Sequence, residues 1–150
     1  MRAGPVRARC RRRPLTTMGL RCVIVDDNRA LLRSASNLLE SEGMSVVGLA
    51  TSIQEALPLV AELDPDVVLV DIVLGPESGF ELARRLAARG DRAHSSRTIM
   101  ISTHDEADFA DVIAESPAIG FVSKSKLSAT TIGALVAGVS HRDATNPSSR

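Results

Sequence analysis

Short runs of apolar residues alternate along the chain with longer stretches in which apolar residues recur every three or four positions. Five such runs predict strands that are buried on both faces, at residues 22–25, 46–49, 67–70, 99–101 and 119–122. The stretch after each run predicts a helix; in the first helix Leu31, Ala35 and Leu38 share one face. Because strands and helices alternate five times, the pattern predicts an α/β fold.

Connections between consecutive strands through helices place the strands in a parallel sheet with helices on both faces. We expect five strands in the order 2-1-3-4-5 and five helices, within one domain over residues 21–140. A chain of 150 residues has no room for a second domain of ordinary size beside it. Sheets of this kind bind ligands at the carboxyl ends of the strands, where the strand order reverses.

Composition narrows the classes of function. The only aromatic residues are three phenylalanines, so we expect no nucleic-acid surface built on stacked aromatic rings. No apolar run reaches the ~18 residues of a spanning helix, and the basic N-terminus is not followed by an apolar segment, so we expect a cytoplasmic protein without a signal peptide or membrane span. Cys10 and Cys22 form no disulfide framework or zinc motif, and the three histidines have no metal-ligand spacing.

The zero net charge is the sum of two unlike parts. Residues 1–21 carry seven arginines and no acid, which gives +7, and residues 22–150 carry 11 bases and 18 acids, which gives −7. We expect residues 1–20 to be a disordered arginine-rich tail and residues 141–150 a disordered polar tail. Three explanations of the first tail stay open: a misassigned start codon with Met18 as the alternative, an arm for nucleic acid or anionic membrane, and a segment that folds back on the acidic body.

Carboxylates, a hydroxyl and a lysine follow four of the predicted strands. Asp26 and Asp27 follow the first strand, Asp71 the third, Ser102 ends the fourth and Lys124 lies just after the fifth. Strands 1 and 3 are neighbours in the expected order, so three carboxylates converge, and they need a proton or a cation to compensate their charges. Oxygen ligands of this kind suit Mg²⁺, and together with a lysine and a hydroxyl they suit the handling of a phosphoryl group.

Each of these residues also has a plainer interpretation. Asp27 by itself suits a helix cap, and a lone lysine such as Lys124 is commonly a solvated side chain. The coincidence at four strand ends is what favours one shared site.

On these residues the chain resembles the receiver domain of two-component response regulators, a CheY-like domain with the flavodoxin-like fold. The acceptor-like Asp71 has Gly79 eight residues after it, Lys124 lies 22 residues after Ser102, and Phe121 lies three residues before that lysine. The resemblance covers residues 21 to about 140. Its local sequence in the third helix looks like receivers usually joined to LuxR-type helix-turn-helix domains.

The resemblance implies a mechanism and partners. A histidine kinase or phosphotransfer protein would supply phosphohistidine, and Asp71 would become the aspartyl phosphate. Mg²⁺ would be bound by Asp27 and Asp71 directly, by Asp26 through water, and by the backbone carbonyl of Val73. Lys124 and Ser102 would contact phosphate oxygens. Ser102 would then move toward the phosphate, and Phe121 would turn into the space that it leaves.

The chain departs from the family pattern at three places. Phe121 has no hydroxyl, which excludes a switch that depends on a tyrosine OH. Ser125 follows Lys124 where many receivers have proline, so a cis peptide bond there is not assumed. Gly75 stands four residues after Asp71 where proline is common, and Pro76 follows it, so the loop is expected to take a different path.

The sequence leaves two interpretations of how the receiver passes on its signal. One is a stand-alone receiver that acts through an unknown partner protein, and the other is a shortened or degenerate transcription regulator. Residues 127–140, in the fifth helix, carry no charge. Two explanations stay open. One is a homodimer or partner surface, formed by the fifth helix together with the fourth helix and fifth strand or with the first helix. The other is a plain surface of small residues that tolerates water.

A Mg²⁺-dependent aspartyl phosphatase is the competing enzyme. Such enzymes typically carry a second Asp two residues after the nucleophile as general acid/base. Here that position is Val73, which cannot transfer a proton. The expectation is therefore a phospho-acceptor that is not an enzyme.

Overall fold

The computed structural model describes residues 19–88, 97–104 and 106–145. Its strands are β1 (Arg21–Val25), β2 (Ser45–Ala50), β3 (Val67–Asp71), β4 (Val73–Leu74), β5 (Glu77–Ser78), β6 (Arg97–Ser102) and β7 (Gly120–Ser123). The five long strands form a parallel sheet in the order β2-β1-β3-β6-β7. This confirms the predicted order 2-1-3-4-5, since β6 and β7 are the fourth and fifth long strands. The short strands β4 and β5 form a separate antiparallel pair.

Five α-helices join the strands: α1 (Arg29–Ser41), α2 (Ile53–Leu63), α3 (Gly79–Ala88), α4 (Ala110–Glu115) and α5 (Ala129–Thr145). Two 3₁₀ turns, Glu106–Phe109 and Lys124–Lys126, follow β6 and β7. Side chains cap the first two helices: Asn28 Oδ1 accepts from the Leu31 N–H at 3.1 Å, and Ser52 Oγ accepts from the Glu55 N–H at 3.2 Å. Each cap satisfies a backbone donor that has no partner within its helix.

The core has two layers, one on each face of the sheet. Along β1, Cys22 and Ile24 face a layer that contains residues of α1 and α5. Val23 and Val25 face the opposite layer, with residues of α2, α3 and, at its margin, α4. This alternation follows from the period of two along a strand and confirms helices on both faces. Because the strands are parallel, their carboxyl ends lie at one edge of the sheet, where the loops begin.

The described residues extend on both sides of the predicted domain, residues 21–140. Leu20 is buried, and Gly19 donates a backbone hydrogen bond to the Gly43 carbonyl. Helix α5 continues to Thr145, past the predicted end at 140, because neither Gly nor Pro interrupts residues 139–145. Residues 1–18 and 146–150, where the rest of both tails falls, lie outside the described residues.

Within the described residues, no helix is both long enough and apolar enough to cross a membrane.

Candidate functional site

Three carboxylates meet at the carboxyl edge of the sheet. Val25 at the end of β1 pairs with Val70 of β3, so the residues that follow these positions come together. Asp26, Asp27 and Asp71 each offer an oxygen within 4.8 Å of the others. Asp26 and Asp71 are buried and Asp27 is exposed. The predicted convergence is therefore confirmed, and the cluster opens to solvent on one side.

Lys124 reaches this cluster from the turn after β7, although β6 lies between β7 and β3. Its Nζ is 2.7 Å from Asp26 Oδ2 and 3.0 Å from Asp71 Oδ2, and its side chain is only 12% exposed. A lysine has the length to cross one strand and carries a compact charge at its end. One positive charge thus stands against three carboxylates.

Asp26 is the fully buried member of the cluster. Its Oδ1 accepts the Asn28 N–H at 2.9 Å, while its Oδ2 has no hydrogen-bond partner among the described residues. The 2.7 Å contact of that oxygen with Lys124 Nζ is therefore an ion pair without hydrogen-bond geometry. A buried carboxylate oxygen with an unused lone pair is costly. An additional cation would satisfy it, so the residues present fit a divalent metal with oxygen ligands.

Burial and charge act in opposite directions on the two ionisable partners. Burial raises the pKa of Asp71, the hydrogen bond from Lys124 lowers it, the charge of Asp26 raises it, and the net direction is upward. Burial lowers the pKa of Lys124, but its contacts with Asp26 and Asp71 outweigh burial and raise it. The lysine therefore stays charged, and the carboxylate cluster favours any cation that joins it.

Ser102 ends β6 beside this site, because Ile101 pairs with Asp71 in the sheet. It is 2% exposed. Its Oγ accepts the His104 N–H at 3.0 Å and lies 3.3 Å from His104 Nδ1. His104 is exposed, and its contact with Ser102 has no signal in the sequence beyond the two-residue spacing.

The family model for the response regulator receiver domain matches residues 22–135, about three quarters of the chain. The chain belongs to this family. Receivers accept phosphoryl groups, bind a divalent metal in their acidic pocket, and interact with histidine kinases and output domains.

Individual relatives agree with this assignment. The receiver is 30% identical over 107 residues to the response regulator GacA of Pseudomonas viridiflava, covering 70% of this chain and 48% of GacA. It is 34% identical over 115 residues to the protein-glutamate methylesterase/protein-glutamine glutaminase 5 of Myxococcus xanthus, covering 74% of this chain and 32% of that one. A LuxR-family response regulator of Aurantimonas sp. superimposes with a TM-score of 0.70 at 30% identity, over 80% of this chain and 86% of that chain.

The receiver spans about half or less of the length of these curated relatives. The functions in their names therefore belong to longer proteins.

The loop after the acceptor-like Asp71 is held by backbone contacts. Asp71 Oδ1 accepts the Val73 N–H at 3.2 Å, and the Gly79 N–H donates to the Ile72 carbonyl at 2.8 Å. A Cβ built at Gly79 overlaps the carbonyl oxygen of Asp71, so only glycine fits there without a shift. Val73 lies in β4, and its backbone carbonyl as a metal ligand stays a prediction.

In the loop after Asp71, residues 75 and 76 join β4 and β5 in a two-residue hairpin. Gly75 has φ +64°, and Pro76 follows it in the turn. Proline holds φ near about −65°, so positive φ occurs only at the first central position, as in a type II′ turn. The Glu77 side chain accepts the Ile53 N–H at 3.2 Å and ties the hairpin to the start of α2.

Phe121 in β7 is half-buried, at the margin of the core layer that contains α2 and α3. It also lines a pocket of about 480 Å³ with Leu135 of α5 and Ser125. Its role as the switch aromatic stays a prediction. No peptide bond in the described residues is cis, so the Lys124–Ser125 bond is trans.

Proposed function

We propose that Asp71 accepts a phosphoryl group from the phosphohistidine of a histidine kinase or phosphotransfer protein. The observation that carries this proposal is the Asp71 carboxylate itself, held 3.0 Å from Lys124 Nζ and within 4.8 Å of two further carboxylates. A nucleophile whose neighbours are a fixed cation and a cation-binding cluster is suited to attack a negatively charged phosphoryl group.

In the proposed step a carboxylate oxygen of Asp71 attacks phosphorus. The new P–O bond forms as the P–N bond to the donor histidine breaks, and the imidazole nitrogen leaves with the electron pair and then takes up a proton. Asp71 must be ionised to attack. The charge of Lys124 favours the ionised form and opposes the effect of burial on the pKa of Asp71.

We assign Asp26, Asp27, Asp71 and the Val73 carbonyl as the residues that hold Mg²⁺. When bound, Mg²⁺ supplies charge compensation for the transferring phosphoryl oxygens. The Oδ2 of buried Asp26, which has an ion pair with Lys124 but no hydrogen bond, and the exposed side of the cluster at Asp27 support this assignment.

After transfer, Lys124 Nζ would exchange its contact with the Asp71 oxygen for a phosphoryl oxygen, and Ser102 Oγ would donate to another. A shift from 1% to 99% active needs ~5.5 kcal/mol of preference for one conformation. Two charge-assisted hydrogen bonds are worth about 3–6 kcal/mol in all, from which the contacts that Lys124 and Ser102 give up are subtracted. We propose that Ser102 moves toward the phosphoryl group and that Phe121 turns into the space that it leaves.

Incubation with phosphoramidate and Mg²⁺ tests the acceptor. We expect one hydroxylamine-sensitive phosphate on the wild type, dependent on Mg²⁺, and none on Asp71→Asn. Asp111→Asn is the matched control, since Asp111 is exposed on α4 and away from the cluster. A folded wild type that never takes up phosphate, or an Asp71→Asn protein that still does, contradicts the proposal.

We propose a phospho-acceptor and not a Mg²⁺-dependent phosphatase. Such a phosphatase uses a second Asp two residues after the nucleophile as general acid/base, and Val73 at that position has no proton to transfer. We propose a cytoplasmic location for the protein, since the proposed phosphoryl transfer requires contact with a kinase.

We propose a separate partner protein as the output, with a transcription-regulator origin as the alternative. A homodimer through α5 and nucleic-acid binding by the arginine-rich tail are two further proposals. Sedimentation with and without a phosphoryl mimic tests the dimer; binding with and without residues 1–17 over a salt series tests the tail.

A further inference from the structure

Among the described residues, the hydroxyl of Ser102 contacts a single residue. Within the described chain, its hydrogen-bond contacts are the His104 N–H, 3.0 Å away, and His104 Nδ1, 3.3 Å away. The hydroxyl accepts the first and has one proton left to donate. Ser102 is 2% exposed, and a buried hydroxyl proton needs an acceptor. His104 Nδ1 is an acceptor in reach for the tautomer that carries its ring proton on Nε2.

The ring of His104 also contacts an aromatic side chain. Phe109 meets it edge to face, with ring centroids 5.8 Å apart and an interplanar angle of 84°. Phe109 ends the 3₁₀ turn that leads into α4, and it packs against the core layer on that face of the sheet. The acceptor nitrogen is thus fixed by a neighbouring structural element, although the ring itself is exposed.

We infer that His104 is a positioning residue that holds the Ser102 hydroxyl in the unphosphorylated receiver and so opposes its contact with the phosphoryl group. The inference rests on the proposed function, in which the same hydroxyl donates to a phosphoryl oxygen. A serine hydroxyl has one proton, so donation to His104 Nδ1 and donation to the phosphoryl oxygen exclude each other. Phosphorylation at Asp71 must therefore break the bond between Ser102 and His104.

Three substitutions at position 104 separate the hydrogen bond from the ring. His104→Ala removes both, His104→Phe keeps a ring for Phe109 but has no acceptor, and His104→Asn keeps an acceptor near the position of Nδ1 without the ring. With phosphoramidate and Mg²⁺, we expect the first two to take up phosphate roughly 3- to 10-fold faster than the wild type, the range of one neutral hydrogen bond. His104→Asn should return the rate to within about twofold of the wild type.

The same three substitutions in a Ser102→Ala background complete the test. The acceleration should vanish there, because no hydroxyl remains to be released. If His104→Phe behaves as the wild type while His104→Asn and His104→Ala change together, the ring acts by packing and the inference is overturned. An acceleration that survives in Ser102→Ala overturns it as well.

A measurement on the unphosphorylated protein separates this inference from the proposed function. The ¹⁵N spectrum of the His104 imidazole should show an unprotonated Nδ1 that accepts a hydrogen bond, with a shift that moves in Ser102→Ala. An Nδ1 that carries the proton, or one that Ser102→Ala leaves unchanged, overturns the inference whether or not Asp71 accepts phosphate. A wild type without phosphate uptake, by contrast, refutes the proposed function.

Discussion

Lys124 is the one cation in contact with the carboxylate cluster within the described chain, so its removal tests the electrostatic balance of the site. Its Nζ lies 2.7 Å from Asp26 Oδ2 and 3.0 Å from Asp71 Oδ2. Lys124→Met removes the charge and keeps an apolar stem of similar shape. Lys126→Met is the matched control, because Lys126 lies in the same turn and is exposed.

The magnitude follows from burial. The side chains of Lys124, Asp26 and Asp71 are 12%, 0% and 9% exposed. Removal of one partner of a buried ion pair costs about 3–5 kcal/mol, because the other charge is left uncompensated. The cluster opens to solvent at Asp27, so we expect the lower end, about 3 kcal/mol of unfolding free energy, for Lys124→Met. Lys126→Met should change the unfolding free energy by less than about 0.5 kcal/mol.

Unfolding in urea at low ionic strength is the suitable assay, since guanidinium chloride would screen the charges. The measurement is made without and then with one fixed Mg²⁺ concentration. A concentration one hundred times the dissociation constant stabilises the wild type by about 2.7 kcal/mol. Lys124→Met should gain more at the same concentration, because Lys124 repels a metal bound to the same carboxylates.

Two results would refute this reasoning. One is a Lys124→Met protein as stable as Lys126→Met in the absence of Mg²⁺, which would mean that the carboxylates do not need Lys124. The other is an equal gain from Mg²⁺ in the wild type and in Lys124→Met, which would mean that the metal binds elsewhere.

Three further predictions concern packing, helix placement and a buried thiol. Gly79→Ala should lose several kcal/mol of stability and most phosphate uptake, because its Cβ overlaps the backbone of Asp71 in β3. As a control, Gly138→Ala in α5 meets no atom within 4 Å, and its stability in urea unfolding should be unchanged or higher by up to about 1 kcal/mol. Glu42→Ala should cost about 1 kcal/mol in the same assay, since its side chain accepts the first backbone N–H of α5 at 2.6 Å. Burial raises the pKa of Cys22 from 9.0 to about 12, so its contribution is complete below pH 9 and about 4 kcal/mol is lost as the pH rises to 12. Stability measured against pH in a Cys10→Ser background should show this loss, and Cys22→Val should remove it.

The sequence predicts the strands and helices, and also the convergence of the charged groups. The former depend on the local pattern of apolar residues, and the latter depends on the topology of the sheet. Apolar runs locate the strands, and a parallel sheet brings the residues that follow β1 and β3 to one edge. Asp26, Asp27 and Asp71 therefore meet without any knowledge of side-chain conformation.

The contacts that the sequence does not predict depend on side-chain direction or on distant packing. Glu42 reaches the start of α5 across 87 residues of sequence, and Glu77 reaches the start of α2 across 24. The His104 contact with Ser102 is local, but it depends on the bend after β6 and on Phe109. The β4–β5 hairpin has too few residues for a period-two pattern to appear.

In the site of this receiver, the negative charge of the carboxylates exceeds the positive charge of the lysine, and the contact that holds Ser102 is weak. Three carboxylates within 4.8 Å of one another face one lysine, and phosphorylation would add charge to that cluster. A conformation that brings further donors to the phosphoryl group is then favoured over one that does not. The contact that opposes it at Ser102 is a neutral hydrogen bond, worth about 0.5–1.5 kcal/mol, against about 1.5–3 kcal/mol for a bond to a charged phosphoryl oxygen. Because the second range exceeds the first, one phosphoryl group suffices to release Ser102 from His104.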